Sequence, residues 1–189
     1  MTRLREFGVR HGHLREVGAA YRTLLHSPYL AGLTYLDLEG SRNGSWFRPR
    51  TLCALLKSPV LTNLTTLLLS DYITDLHPSV LSAVAKSPSL ANLRRLGIMC
   101  TGFDQARMRA FSRAAFATNL EVLELQYCSL TSDAWRELLS ENAFPNLKRL
   151  YLAGTGYGKE KEELARIRFG PKVLDFEQEF PARPHYHTW

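Results

Sequence analysis

The sequence predicts an α/β chain of about six strand–helix units stacked into a curved solenoid, a horseshoe with parallel strands on its concave face and helices on its convex face. Three observations predict it: an apolar triplet that recurs along the chain, helical stripes between the triplets, and prolines that close several of those stripes.

The triplet reads apolar, two variable residues, apolar, one variable residue, apolar. It occurs at Leu4/Phe7/Val9, Leu33/Leu36/Leu38, Leu64/Leu67/Leu69, Leu93/Leu96/Ile98, Leu120/Leu123/Leu125 and Leu147/Leu150/Leu152. The starts lie 29, 31, 29, 27 and 27 residues apart, and a degraded seventh copy falls at Pro171/Leu174/Phe176, 24 residues further on. The last two apolar positions are one residue apart, so they share one side of a strand and the residue between them faces the other side. Between triplets, residues 51–57, 79–86 and 134–139 place apolar side chains at helical spacing. Three helices run into Ser27-Pro28, Ser58-Pro59 and Ser87-Pro88, and a fourth stops near Phe144-Pro145, because proline cannot continue a helix. Strand, helix and next strand within such a period form a parallel crossover unit. One unit cannot bury both its strand face and its helix stripe, whereas stacked units can.

Residues 120–130, Leu-Glu-Val-Leu-Glu-Leu-Gln-Tyr-Cys-Ser-Leu, resemble the leucine-rich-repeat consensus at every fixed position. The long period and full helices resemble the ribonuclease-inhibitor subclass, and the Ser-Pro-x-Leu linkage and residues 168–173 resemble bacterial arrays of that class. The resemblance spans residues 4–176 and implies an array over 1–176, with 177–189 as a C-terminal extension or cap. It also implies a polar turn position after each strand, here Gly12, Ser41, Tyr72, Thr101, Cys128 and Thr155, whose hydroxyl or thiol groups partner buried backbone; Gly12 and Tyr72 depart from that pattern. The chain starts inside the pattern, at Leu4, without a polar N-terminal cap, so repeat zero is itself a poor cap or the chain is part of a longer protein.

Composition narrows the classes. With 189 residues, 45% apolar and 22% charged, the chain can bury a core. No stretch reaches the roughly 18 apolar residues of a membrane span, and the first residues lack the apolar run of a secretory signal. Three cysteines without a close pair point to a reducing, cytoplasmic setting. The net charge of +6 comes without a block of five or six basic residues, which reads as a solvated surface.

Chemistry-bearing motifs are few. Residues 154–159, Gly-Thr-Gly-Tyr-Gly-Lys, sit where a phosphate loop belongs, but Ala153 and Glu160 occupy the positions that need glycine and a hydroxyl, so the glycines read as a turn. His11/His13 and His185/His187 lack a further ligand at metal spacing. Cys100 has no histidine at a matching position of an adjacent repeat. Trp135 falls on a helix stripe with Leu138 and Leu139 and reads as core; Trp46 reads as packing at a helix entry. The expectation is a non-enzymatic chain with no cofactor and no metal.

The variable strand positions are then the surface of interest. Between the last two leucines lie Gly8, Asp37, Leu68, Gly97, Glu124 and Tyr151; two residues earlier lie Glu6, Tyr35, Thr66, Arg95, Val122 and Arg149; two residues later lie Arg10, Glu39, Ser70, Met99, Gln126 and Ala153. Tyr35, Asp37, Leu68, Arg95, Val122, Glu124, Arg149 and Tyr151 are the candidate contacts for an unidentified protein partner, with Tyr35, Leu68, Met99, Val122 and Tyr151 as an exposed apolar track. Arg95 and Glu124, diagonal neighbours, are equally able to pair with each other. A basic nucleic-acid surface built on Arg94, Arg95, Lys148, Arg149 and helix lysines, and a spacer or terminal part of a larger receptor with no partner of its own, are the alternatives; acidic residues on the same face disfavour phosphate.

Overall fold

A computed structural model describes residues 4–9, 27–39, 49–70, 76–155, 158–170 and 174–175. Nine strands are described: β1 Glu6–Val9, β2 Tyr35–Glu39, β3 Thr66–Ser70, β4 Arg95–Met99, β5 Gly102–Phe103, β6 Val122–Glu124, β7 Ser129–Leu130, β8 Arg149–Tyr151 and β9 Leu174–Asp175. The helices are α1 Pro49–Leu56, α2 Pro78–Lys86, α3 Gln105–Ser112, α4 Ser132–Leu138 and α5 Lys159–Phe169. The chain is α/β, with one seven-stranded sheet in the order β1-β2-β3-β4-β6-β8-β9 and a two-stranded one, β5-β7.

Every pairing in the large sheet is parallel, and the registers follow the repeat: Leu36 faces Leu67, Leu67 faces Leu96, Leu96 faces Leu123, and Leu123 faces Leu150. The degraded copy also pairs, Leu150 opposite Leu174. The leucines of the triplets from Leu33 to Leu125, with Leu150 and Leu152, lie in one buried cluster with Leu52, Leu55 and Leu56 of α1, Val80, Leu81 and Val84 of α2, Met108 and Phe111 of α3, and Trp135 and Leu138 of α4, while Leu147 packs against it half-buried and Leu4 is exposed. Trp135 is core, as its stripe predicts. Each such leucine removed from water contributes about 1.5–3 kcal/mol.

Backbone links repeat with the same period. The carbonyl of Arg5 accepts from the N–H groups of both Thr34 and Tyr35. Thr34 does the same for Thr65 and Thr66, Thr65 for Arg94 and Arg95, Arg94 for Glu121 and Val122, and Glu121 for Lys148 and Arg149, all between 2.8 and 3.2 Å. Beside this runs an asparagine ladder that the triplet reading overlooks. Asn63 Nδ2 donates to the Ala31 carbonyl at 2.7 Å, Asn92 to Thr62 at 2.8 Å, Asn119 to Ala91 at 2.9 Å and Asn146 to Thr118 at 2.6 Å. Each asparagine directly precedes the first leucine of its triplet, so the signal was present in the sequence. The equivalent residue before Pro171 is Gly170, and there Arg168 reaches back instead, donating to the carbonyls of Ser140, Glu141 and Ala143.

The Ser-Pro pairs do more than end helices. Pro59 and Pro88 open short 3₁₀ turns, Pro59–Leu61 and Pro88–Leu90, where a fixed φ and a missing N–H cost nothing. Ser58 caps the first of these by accepting from Val60 N–H, and Ser27 likewise caps a third such turn, Pro28–Gly32, by accepting from Tyr29 N–H. Ser87 is buried and instead donates to the Leu56 carbonyl at 2.5 Å, tying its unit to the previous one. The helix expected before Ser27 lies outside the described residues. Helix α4 ends at Leu138, well before Phe144-Pro145, and Phe144 turns the chain at φ 48°.

After each of the later strands the backbone takes the same left-handed turn. Cys100 (φ 54°), Tyr127 (φ 54°) and Gly154 (φ 70°) all stand seven residues beyond the first leucine of their triplets. The strain on Cys100 and Tyr127, about 1–2 kcal/mol each, is offset by hydrogen bonds from Cys100 N–H to Gln126 O and from Tyr127 N–H to Ala153 O. The next residues are the expected polar turn positions, and Thr101, Cys128 and Thr155 are all buried. The Cys128 thiol donates to the Ile98 carbonyl at 3.3 Å and the Thr155 hydroxyl to the Leu152 carbonyl at 2.7 Å, whereas Thr101 contributes its carbonyl, which accepts from Ser129 N–H. Gly12, Ser41 and Tyr72 lie outside the described residues.

Asn119→Ala is expected to lower stability by about 1 kcal/mol, the net value of one hydrogen bond, in a urea melt. Gly154→Ala is expected to cost about 1–3 kcal/mol, because its φ is left-handed and the new Cβ would stand 2.4 Å from the Tyr127 ring.

Candidate interaction surface

On the sheet face opposite the leucines, the variable positions line up in columns. Gly8, Asp37, Leu68, Gly97, Glu124 and Tyr151 face one another in sequence across β1, β2, β3, β4, β6 and β8. Glu6, Tyr35, Thr66, Arg95, Val122 and Arg149 form the adjacent column in the same registers. All eight candidate contacts therefore share one face, neighbouring strands being about 4.8 Å apart.

The exposure expected of that face is not found at its centre. Asp37 and Glu124 are 0% exposed, Leu68 1%, Met99 2%, and Tyr35 and Tyr151 8% each. The expected open apolar track of Tyr35, Leu68, Met99 and Tyr151 is thus a buried one, with Val122 half-buried beside it. Strands of a parallel sheet that are buried on both faces read as near-continuous apolar runs. The runs Leu67-Leu68-Leu69 and Ile98-Met99 already do so. Shielding is partly mutual: Leu68 Cδ2 lies 2.8 Å from where a Gly97 Cβ would stand, and the Tyr35 hydroxyl donates to Asp37 Oδ2 at 3.4 Å. What stays open is the margin at the strand starts, where Glu6 and Arg149 are exposed and Thr66, Arg95 and Val122 half-buried.

Two ion clusters organise that margin. Arg95 Nε donates to Glu124 Oε1 at 2.6 Å, so the diagonal pairing open in the sequence is realised. The guanidinium side chain is 20% exposed and the carboxylate 0%. Among the described residues Arg95 Nη2 and Glu124 Oε2 have no partner, so this buried pair is only half satisfied. The second cluster was not anticipated: Glu121 accepts from Arg94 Nη1 at 2.7 Å and from Lys148 Nζ at 2.9 Å. The three side chains occupy the same repeat position in three successive units, which is the signal that would have revealed them. The hydrogen bond from Lys148, partly opposed by desolvation and reinforced by the charges of Lys148 and Arg94, holds the Glu121 carboxyl below the usual glutamate value. Of the residues at the strand starts that the nucleic-acid reading uses, Arg94, Arg95 and Lys148 are engaged with carboxylates.

Of the other singled-out residues, Gly154 forms the left-handed turn and Gly158 precedes α5, with Gly156 and Tyr157 outside the described residues. His11, His13, His185, His187 and Trp46 also lie outside them. Among the described residues no helix is long and apolar enough to cross a membrane. No protein-family model matches this chain, and no curated protein is similar to it.

Arg95→Ala is expected to cost about 3–5 kcal/mol in a urea melt, since it strands a buried carboxylate, while the double substitution Arg95→Met with Glu124→Leu is expected to come out near neutral. Glu121 is expected to titrate below 4.5 by carboxyl NMR and to move up in Lys148→Ala. Its folded-state value is lowered, so its contribution to stability is full above the ordinary value and lost as pH falls through the lowered one.

Proposed function

We propose that this chain is a leucine-rich-repeat solenoid of the ribonuclease-inhibitor-like subclass and serves as a non-enzymatic protein-binding module through its strand face. The observation that carries the reading is the register: each unit adds one parallel strand beside the last and presents its variable residues at the same height. Such an array forms a broad surface whose chemistry changes without disturbing the leucines behind it. The strand-start margin, Arg95, Val122 and Arg149 together with Arg94, Glu121 and Lys148, is the accessible part of that surface, and the buried Tyr35, Asp37, Leu68, Glu124 and Tyr151 set its shape from beneath. Arginine beside an apolar side chain suits a protein contact, and the interleaved carboxylates of Glu121 and Glu124 oppose a phosphate backbone.

The test is affinity capture from native lysate with the full chain, the double variant Val122→Glu/Arg149→Glu, and Arg136→Glu on α4, whose side chain is 78% exposed, as control. The margin variant is expected to lose a captured partner by at least about tenfold in affinity, roughly 1.4 kcal/mol, with the melting temperature unchanged and the α4 variant unaffected. Equal capture by all three, or no capture by any, speaks against the reading. Oligonucleotide binding that falls steeply with salt would favour the nucleic-acid alternative.

A further inference from the structure

The helix side carries a group of reactive side chains that the strand-face reading does not use. Cys53 lies within α1, Ser79 is the second residue of α2, and His77 is the N-cap of α2. The Cys53 thiol donates to Ser79 Oγ at 3.5 Å, and Ser79 Oγ lies 2.8 Å from His77 Nδ1. The Ser79 backbone N–H also donates to His77 Nδ1, at 3.2 Å. A backbone N–H can only donate, so Nδ1 is the unprotonated ring nitrogen and the Ser79 hydroxyl donates to it as well. The direction of the chain is thereby fixed: thiol to hydroxyl to imidazole. Thr131 and Asp104 cap α4 and α3 through oxygen, whereas histidine lies outside the usual N-cap set.

Ser79 and His77 are exposed, and Cys53 is half-buried against the core. Arg50 and Lys57, both exposed, stand three residues before and four after Cys53, and Lys57, one residue past the end of α1, donates its N–H to the Cys53 carbonyl. Among the described residues neither forms an ion pair. The other thiols differ: Cys128 is buried on the Ile98 carbonyl and Cys100 sits in the turn after β4.

We propose that Cys53 is a thiol-modification site that exchanges with a small anionic disulfide, its proton being taken by His77 through Ser79. The Cys53 proton passes to Ser79 Oγ as the Ser79 hydroxyl proton moves to His77 Nδ1. The thiolate then attacks one sulfur of the disulfide. A Cys53–sulfur bond forms, the original sulfur–sulfur bond breaks, and the leaving thiolate departs with the electron pair and takes the proton from the imidazolium. Cys53 is oxidised to a mixed disulfide and one thiol of the reagent is released. Arg50 and Lys57 supply the attraction for an anionic reagent. Nothing in this inference depends on the protein-binding reading.

The experiment exposes the full chain to oxidised glutathione and follows each cysteine by peptide mass spectrometry. Cys53 is expected to react before Cys100 and Cys128. Ser79→Ala and His77→Asn are each expected to slow Cys53 by roughly tenfold, below the usual range for a positioned base because the transfer is relayed, with Cys100 unchanged. Asparagine keeps the N-cap, so amide exchange in α2 should stay at its wild-type level in His77→Asn, which separates proton transfer from capping. Arg50→Glu/Lys57→Glu is expected to slow reaction with oxidised glutathione but not with neutral hydroxyethyl disulfide. The proposal is overturned if Cys100 reacts first, if Ser79→Ala and His77→Asn leave the Cys53 rate unchanged, or if the rate falls only together with α2 protection.

Discussion

Register between successive parallel strands is the constraint on which the rest of this structure depends. One carbonyl per unit, from Arg5 through Thr34, Thr65, Arg94 and Glu121, receives two N–H groups from the following unit. That doubled bond fixes the height at which each new strand begins. Because side chains alternate along a strand, a slip of one residue would turn Leu67 and Leu69 out of the core and bring Leu68 into it. The asparagine amides hold the same height from the outside edge, donating between corresponding positions of neighbouring units. Leucine burial provides the energy, and these polar links determine which of several similar alignments receives it.

The strand pairing was legible because period and polarity agree. The triplets at Leu64, Leu93, Leu120 and Leu147 locate β3, β4, β6 and β8, and even the weak copy at Leu174 pairs where its spacing puts it. Shared position across strands was equally legible, since it follows from counting: Asp37, Leu68, Gly97, Glu124 and Tyr151 stand in one column as their numbers imply. Exposure was not legible, because alternation tells which side a residue faces and not whether that side meets water. Leu68 and Met99 carried the warning, being apolar on the side expected to be open.

Polar detail was readable only in part. The acid and base at Glu124 and Arg95 could be placed as neighbours from sequence, but which groups they leave unpaired depends on side-chain geometry. Glu121 was hidden by its place just before a strand, outside the columns that alternation singles out, although Arg94 and Lys148 at the same step of adjoining units bracket it. The link among Cys53, Ser79 and His77 joins two helices from different units, and no local motif records such a meeting.

The asparagine rungs have a consequence for how such a chain changes length. Each rung runs from one period to the one before it and uses only a main-chain oxygen as receiver, so it places no demand on the identity of the neighbouring side chain. A segment beginning at Asn92 and ending at Thr118 brings its own donor and leaves its own acceptor, the Thr118 carbonyl, for Asn146. Duplication or deletion of that whole block would leave every rung with both halves. Arg168, anchored on three carbonyls near the far end, would need no alteration to close the shorter or longer product.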